Sequence, residues 1–292
     1  MKKNLLITCA LVFILSVLAI AQENIKGHGS CSLCGMRLDD SRNRMSIEYD
    51  DRTKLEMCSI HCTAAEFAAH REKTLKRLQV SDYNSNKLID AKKAYWVIGG
   101  NKLGVMTKRA KWAFEKKEEA EQFIRDNGGQ IATFDEAMKA TFEDMYTGIR
   151  ITHKKGTATD ITMADMENLP ECTYCGMSRH QYAYSRALVI YEDGTVAGTC
   201  SIHCAAIDLA VNMNKPVNSI MIADYHTRKL TDAEKAVWVI GGEKSGVMTK
   251  RAKWAFEKRE EAEQFINDNG GRISTFDEVM KATFEDMYEI LR

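Results

Sequence analysis

Residues 94–146, "AYWVIGGNKLGVMTKRAKWAFEKKEEAEQFIRDNGGQIATFDEAMKATFEDMY", return almost unchanged at 236–288 as "AVWVIGGEKSGVMTKRAKWAFEKREEAEQFINDNGGRISTFDEVMKATFEDMY". A period of this length is far beyond that of a solenoid and has the size of a whole domain. The chain therefore reads as one domain made twice. Upstream of these blocks the similarity thins, but a cysteine pattern persists. "CSLCGM" from Cys31 corresponds to "CTYCGM" from Cys172, and "CSIHC" at Cys58 to Cys62 recurs at Cys200 to Cys204. The offset changes by one residue between the two pairs, so a residue was gained in the segment joining them while the cysteines stayed. The resulting division is a first unit at 22–146, a linker at 147–170 that ends in a proline, and a second unit at 171–292. Each unit has roughly 120 residues, enough for a core without covalent staples.

The N-terminus carries a different signal. Lys2 and Lys3 precede an apolar run from Leu5 to Ala21 that closes on Ala19-Ile20-Ala21, the layout of a cleaved secretory signal over residues 1–21. The run is shorter than the ~20 residues a membrane span takes, so no stable membrane insertion is expected after cleavage. Removing Lys2 and Lys3 from 41 basic residues leaves 39 against 41 acidic ones. With no basic block, nucleic acid is not an expected partner.

Within a unit, "NRMSIEYDDRTKLEMC" alternates apolar and polar residues about an Asp-Asp-Arg turn, and "ALVIYEDGTVAGTC" does so about Asp193-Gly194, both hairpin patterns. Helical period follows "CSIHC" at Ala64, Ala65, Phe67 and Ala68. "SIMIADY", "AVWVIGG" and "VMTKRAKWAF" read as strands, "EKREEAEQFINDNGG" as a helix stopped by glycine, and a last helix is capped near Thr275 or Asp277. The order predicts an α+β fold of two tandem units, each of two ββαβ layers.

Of nine cysteines, Cys9 falls in the signal and four remain per unit. Disulfides are the default outside the cytoplasm, but such short loops would stabilise little. A redox Cys-x-x-Cys normally opens a helix after a strand, and here glycine follows instead. Cys-x2-Cys joined to Cys-x3-Cys is the form of a thiolate metal site. The candidate ligands are Cys31, Cys34, Cys58 and Cys62 in the first unit and Cys172, Cys175, Cys200 and Cys204 in the second. Met36, Met177, His61 and His203, soft or borderline donors beside these cysteines in sequence, are further candidate ligands. Four thiolates suit Zn²⁺ in a closed site; Cu(I) accepts thiolate and also thioether sulfur.

"CSLCGM" and "CTYCGM", "DYNSNKLIDAKKAYWV" and "DYHTRKLTDAEKAVWV", and "VMTKRAKWAF" with "AEQF" and "NGG" together resemble the NosL family, accessory factors associated with nitrous oxide reductase that bind Cu(I). The resemblance covers nearly all of both units. It implies two ββαβ layers per unit and Cu(I) bound at the cysteine of Cys-Gly-Met, here Cys34 and Cys175, with Met106 and Met248 matching a later methionine. The family's Pro-Met-Gly setting of that methionine is Val105-Met106-Thr107 and Val247-Met248-Thr249 here, and a lipid-anchor cysteine common in the family is missing. Cys-x3-Cys is also similar to half of the small heavy-metal-sensing TRASH modules.

No acid/base pair, activated nucleophile or phosphate loop stands out. The expected function is extracytoplasmic Cu(I) binding, with Zn²⁺ as the alternative metal and a metal-recipient protein, such as a copper enzyme, as partner. A structural zinc or disulfide module and a thiol oxidoreductase are the competing readings. Tyr182, Tyr184, Tyr191 and His180 give the second hairpin an aromatic surface expected to meet a partner, and the linker is expected to let the units move independently.

Overall fold

A computed structural model describes residues 29–38, 42–152 and 165–290; the signal expected at 1–21 and the middle of the linker lie outside the described residues. The first unit opens with the cysteine loop at 29–38 and the hairpin β1 (Met45–Tyr49) and β2 (Lys54–Met57), followed by helix α1 (Ile60–Ala69), β3 (Leu75–Ser81) and β4 (Leu88–Asp90). A second layer comprises β5 (Tyr95–Ile98), β6 (Lys111–Phe114), α2 (Lys117–Asn127), β7 (Gln130–Ala132) and α3 (Phe134–Gly148). After the one-turn helix α4 (Asp165–Asn168), the second unit repeats the plan as β8 (Ala187–Tyr191), β9 (Val196–Thr199), α5 (Ile202–Val211), β10 (Val217–Ala223) and β11 (Leu230–Asp232). It ends with β12 (Val237–Ile240), β13 (Lys253–Phe256), α6 (Arg259–Asn269), β14 (Arg272–Ser274) and α7 (Phe276–Ile290).

The sheets are antiparallel, with orders β2-β1-β3-β4 and β6-β5-β7 in the first unit and β9-β8-β10-β11 and β13-β12-β14 in the second. Each layer is thus a ββαβ motif, extended by the short β4 or β11 in one sheet and by the closing helix after the other. The three-stranded sheets are covered on both faces, as their composition demands. Trp96 and Ile98 of β5 join the main core beneath α3, while Val97 between them packs with Trp112, Phe114 and Phe123 under α2. That is the period-2 alternation of a strand. Capping is local and legible: Thr133 and Glu136 form a capping box at α3, Thr275 and Glu278 exchange the same bonds at α7, and Gly128 takes φ 75° where α2 stops.

Two expectations fail here. "VMTKRAKWAF" is a strand only over its last four residues; the part containing Met106 is a loop, and Met106 and Met248 adopt φ of 51° and 58°. The units are also not independent. Helices α1 and α5 pack against each other, as do α3 and α7, and one core cluster runs through both units. The Tyr146 hydroxyl donates to Asp277 and that of Tyr288 to Asp135, both at 2.7 Å, so the contact repeats itself about a pseudo-two-fold axis. The linker's end is structural too. Asp165 is buried and accepts bonds from Arg179 and Arg186, and Ile151 bridges to Val217. No helix among the described residues is long and apolar enough to cross a membrane.

Candidate metal centres

Each cysteine is delivered by an element whose local conformation the sequence dictates. The loop at 29–38 is a tight knuckle: Cys31 N–H donates to the Met36 carbonyl at 2.7 Å and Gly35 N–H to the Cys31 carbonyl at 3.0 Å. Gly35 and Gly176 take φ of 75° and 68°, a left-handed turn in which glycine is unstrained. The knuckle aims the N–H groups of Cys34 and Met36 at the sulfurs of Cys31 and Cys34. Cys58 directly follows β2, and Cys62 lies in the first turn of α1. There the positive end of the helix dipole favours a thiolate. The hairpin brings these pieces together. The sulfurs of Cys31, Cys34, Cys58 and Cys62 all lie within 4.8 Å of one another, and those of Cys172, Cys175, Cys200 and Cys204 do the same.

The closest of these separations fall between 3.5 and 3.8 Å. Cys34 to Cys58 is 3.7 Å and Cys58 to Cys62 is 3.5 Å; in the second unit Cys175 to Cys200 is 3.6 Å and Cys204 lies 3.8 Å from both. Bonds of about 2.3 Å from one ion to four tetrahedral sulfurs would hold them about 3.8 Å apart. All eight are free thiols. Hydrogen bonds from Cys34, Cys58 and Cys62 drive the Cys31 thiol far below its ordinary value. The Cys31 sulfur opposes a second ionisation at Cys34 while the other two thiols favour it, which leaves Cys34 at about 7. Cys58 and Cys62 are pushed up by sharing space with Cys31 and Cys34. A cation would lift that competition and take all four as thiolates. Cys34 and Cys175 are half-buried and the other ligands are buried, so each group opens to solvent along one side.

Thioethers join unequally. Met106 Sδ lies 3.8 Å from Cys62 Sγ and 4.0 Å from Cys58 Sγ. Met248 packs on the cluster containing Cys200 and Cys204, and Met177 packs there as well. Met36 stands at the rim, 42% exposed. Met57, which sequence reasoning missed, places its Sδ 4.0 Å from Cys31 Sγ; Thr199 occupies that position in the second unit. Its adjacency to Cys58 in a strand ending at the site was the available clue.

His61 and His203 are not brought into either sulfur group. Consecutive helical residues point about 100° apart, so the neighbour of Cys62 on α1 faces elsewhere. His61 Nε2 meets the Ala210 carbonyl at 2.8 Å and His203 Nε2 meets the Ala68 carbonyl at 3.0 Å, each reaching into the other unit. Burial lowers both imidazoles to about 4, which keeps them neutral. The aromatic surface is also reassigned. Tyr191 is buried and donates to Asp208, and Tyr184 stacks on Tyr225 and Trp254; only His180 is exposed.

The methionine loops are held by a buried ion-pair network. Asp144 of α3 accepts from the Thr107 hydroxyl at 2.7 Å, the Arg109 Nε at 2.7 Å and the Lys111 ammonium. Asp286 receives Thr249, Arg251 and Lys253 at 2.8, 2.6 and 2.7 Å. Burial resists the charge, but these donors hold the Asp144 carboxyl below its ordinary value. The network explains why "MTKRAKWAF" and "FEDMY" recur together: they are two halves of one clamp beside the sulfurs.

A comparison with curated proteins finds no match. Among solved structures, the crystal structure of the copper chaperone NosL from Shewanella denitrificans is 25% identical, covering 40% of this chain and 94% of its own, with a TM-score of 0.33. The NosL family model matches residues 22–142 and again 160–284. Those two segments contain both knuckles, both Cys-x3-Cys helices and both methionine loops, and together they make the chain a member of the NosL family built from two such units in tandem.

Proposed function

We propose that this chain is an extracytoplasmic Cu(I)-binding protein that carries one ion per unit and hands it to a recipient, a copper enzyme being the natural candidate. The observation that carries the reading is the meeting of four thiols with the Met106 thioether at 3.8 Å from Cys62. Thioether sulfur adds affinity for Cu(I) and little for Zn²⁺. The half-buried Cys34 and Cys175 give an incoming ligand a place to attack, which a carrier needs and a closed structural site avoids. Membership of a family whose resemblance implies Cu(I) points the same way, and the signal pattern read at 1–21 supports work outside the cytoplasm.

One observation favours a second reading. Four thiols with closest sulfur separations of 3.5 to 3.8 Å also suit Zn²⁺, which would make the centres structural. Anaerobic titration of the full chain against competing chelators separates the two. Cu(I) is expected to bind at two equivalents per chain, and Cys34→Ser or Cys175→Ser each to remove one. Met106→Leu, which nearly conserves volume, is expected to weaken Cu(I) by roughly 10- to 100-fold, the range typical for losing a supporting group around a metal, and to leave Zn²⁺ unchanged. Equal loss of both metals, or of neither, contradicts the carrier reading.

A further inference from the structure

The two sites share their cysteines but not what holds those cysteines in place. In the second knuckle, Tyr174 stands between Cys172 and Cys175 and donates its hydroxyl at 2.8 Å to Asp208 of α5, the helix that carries Cys204. Asp208 also accepts from the Tyr191 hydroxyl and from Asn212. A side-chain bond therefore ties the first ligand pair to the second without any metal. The corresponding residue of the first unit is Leu33, which has no hydroxyl, and the corresponding acid, Glu66, meets Tyr49 at 3.3 Å.

Arg179 adds a second tie. It follows the knuckle, is fully buried, and donates to the carbonyls of Thr199, Asp165, Leu169 and Ala187 and to the Asp165 carboxylate. Thr199 directly precedes Cys200, so this guanidinium fixes the knuckle to the strand that presents the third ligand. Leu38 stands at the same place in the first unit; Leu38 and Arg179 make the same backbone bond, to Gly29 and to Pro170. The first site instead has two thioethers, Met57 and Met106, within 4.0 Å of its thiols. The Met57 sulfur, beside Cys31 and absent from the second site, can take over a coordination position as a thiolate leaves.

Resting on the metal-binding reading above, we propose that the units divide the work: the second is a pre-organised site that retains its ion, and the first is the exchanging site from which metal leaves the chain. Pre-organisation removes the cost of assembling the ligands on binding. Affinity differences between like sites reside mostly in the dissociation rate. Tyr174 and Arg179 are then positioning residues of the second site, and Met57, which the second site replaces by Thr199, aids release from the first.

The test is release kinetics from the full chain loaded anaerobically with two equivalents of Cu(I) and mixed with excess bathocuproine disulfonate. Two phases of equal amplitude are expected. Cys34→Ser should delete the fast phase and Cys175→Ser the slow one. Tyr174→Phe keeps the ring and the packing while removing the donor; it should accelerate the slow phase about tenfold, the worth of one hydrogen bond to an ionisable acceptor, and leave the fast phase alone. Met57→Thr, which copies the second unit, should slow the fast phase. A single phase, a slow phase surviving in Cys175→Ser, or Tyr174→Phe altering both phases alike overturns the division of labour. Should the chain take up no Cu(I), the carrier reading itself fails; repeating the release with Zn²⁺ and a zinc chelator still decides whether the two sites differ.

Discussion

At the scale of single residues, the sulfur chemistry was legible and its supports were not. Cysteine spacing identifies a soft-metal site because two short pairs on a hairpin have few other ways to be satisfied. The histidines misled because adjacency in "CSIHC" is adjacency in sequence; on a helix, the next residue faces another direction. Asp144 and Asp286 could not be picked out among 41 acidic residues, since their distinction is burial against Lys111 and Lys253. Breaking a buried charge pair by removing one partner is strongly destabilising. Asp144→Asn should therefore cost about 3 kcal/mol in chemical denaturation at pH 7; a loss under about 1 kcal/mol would mean that the clamp is ornamental. The pH dependence of that loss follows from the lowered carboxyl. A depressed native value contributes stability present above the unfolded value of 3.8 and lost as pH falls below it through the native value. The gap between wild type and Asp144→Asn should accordingly be constant from pH 7 to 5 and close below about pH 4.

At the scale of elements, hairpins, caps and glycine stops were readable because each is settled by a few neighbouring residues. The methionine loop was not. "VMTKRAKWAF" reads as a strand throughout, yet Thr107 and Arg109, like Thr249 and Arg251, bond to Asp144 and Asp286 rather than to a ladder, and the methionine before them takes a positive φ. Helices α1 and α5 carried an overlooked signal. Ala64, Ala65, Ala68 and Ala69 in one helix and Ala205, Ala206, Ile207 and Ala210 in the other leave little polar face, and a helix apolar all round is buried all round. Small side chains also let the two helices approach. Ala206→Leu should overpack that contact and cost about 1–3 kcal/mol, read as a lower denaturation midpoint; unchanged stability would place a cavity where close packing is described.

At the scale of the whole molecule, duplication was plain in the sequence, and the joining of the copies was not, because nothing in either copy alone distinguishes an interface from a core. His61 and His203, the α3 to α7 tyrosine bonds and the continuous core make one folding body of the two units. Calorimetric unfolding of the metal-free chain should accordingly give one cooperative transition with equal calorimetric and van't Hoff enthalpies; two separated transitions would restore the picture of beads on a linker. A rigid pair also fixes how the two sulfur groups present themselves to a recipient, which suits one site that retains and one that exchanges. The central claim, that these groups are Cu(I) sites, is tested most directly by copper K-edge X-ray absorption on the anaerobically loaded full chain, compared with its Met106→Leu variant. The account predicts an all-sulfur shell at about 2.3 Å, as for comparable metal–thiolate bonds, at two equivalents of copper, with a changed first unit in the variant. A shell containing nitrogen, or no copper retained against chelator while zinc is held, would contradict it.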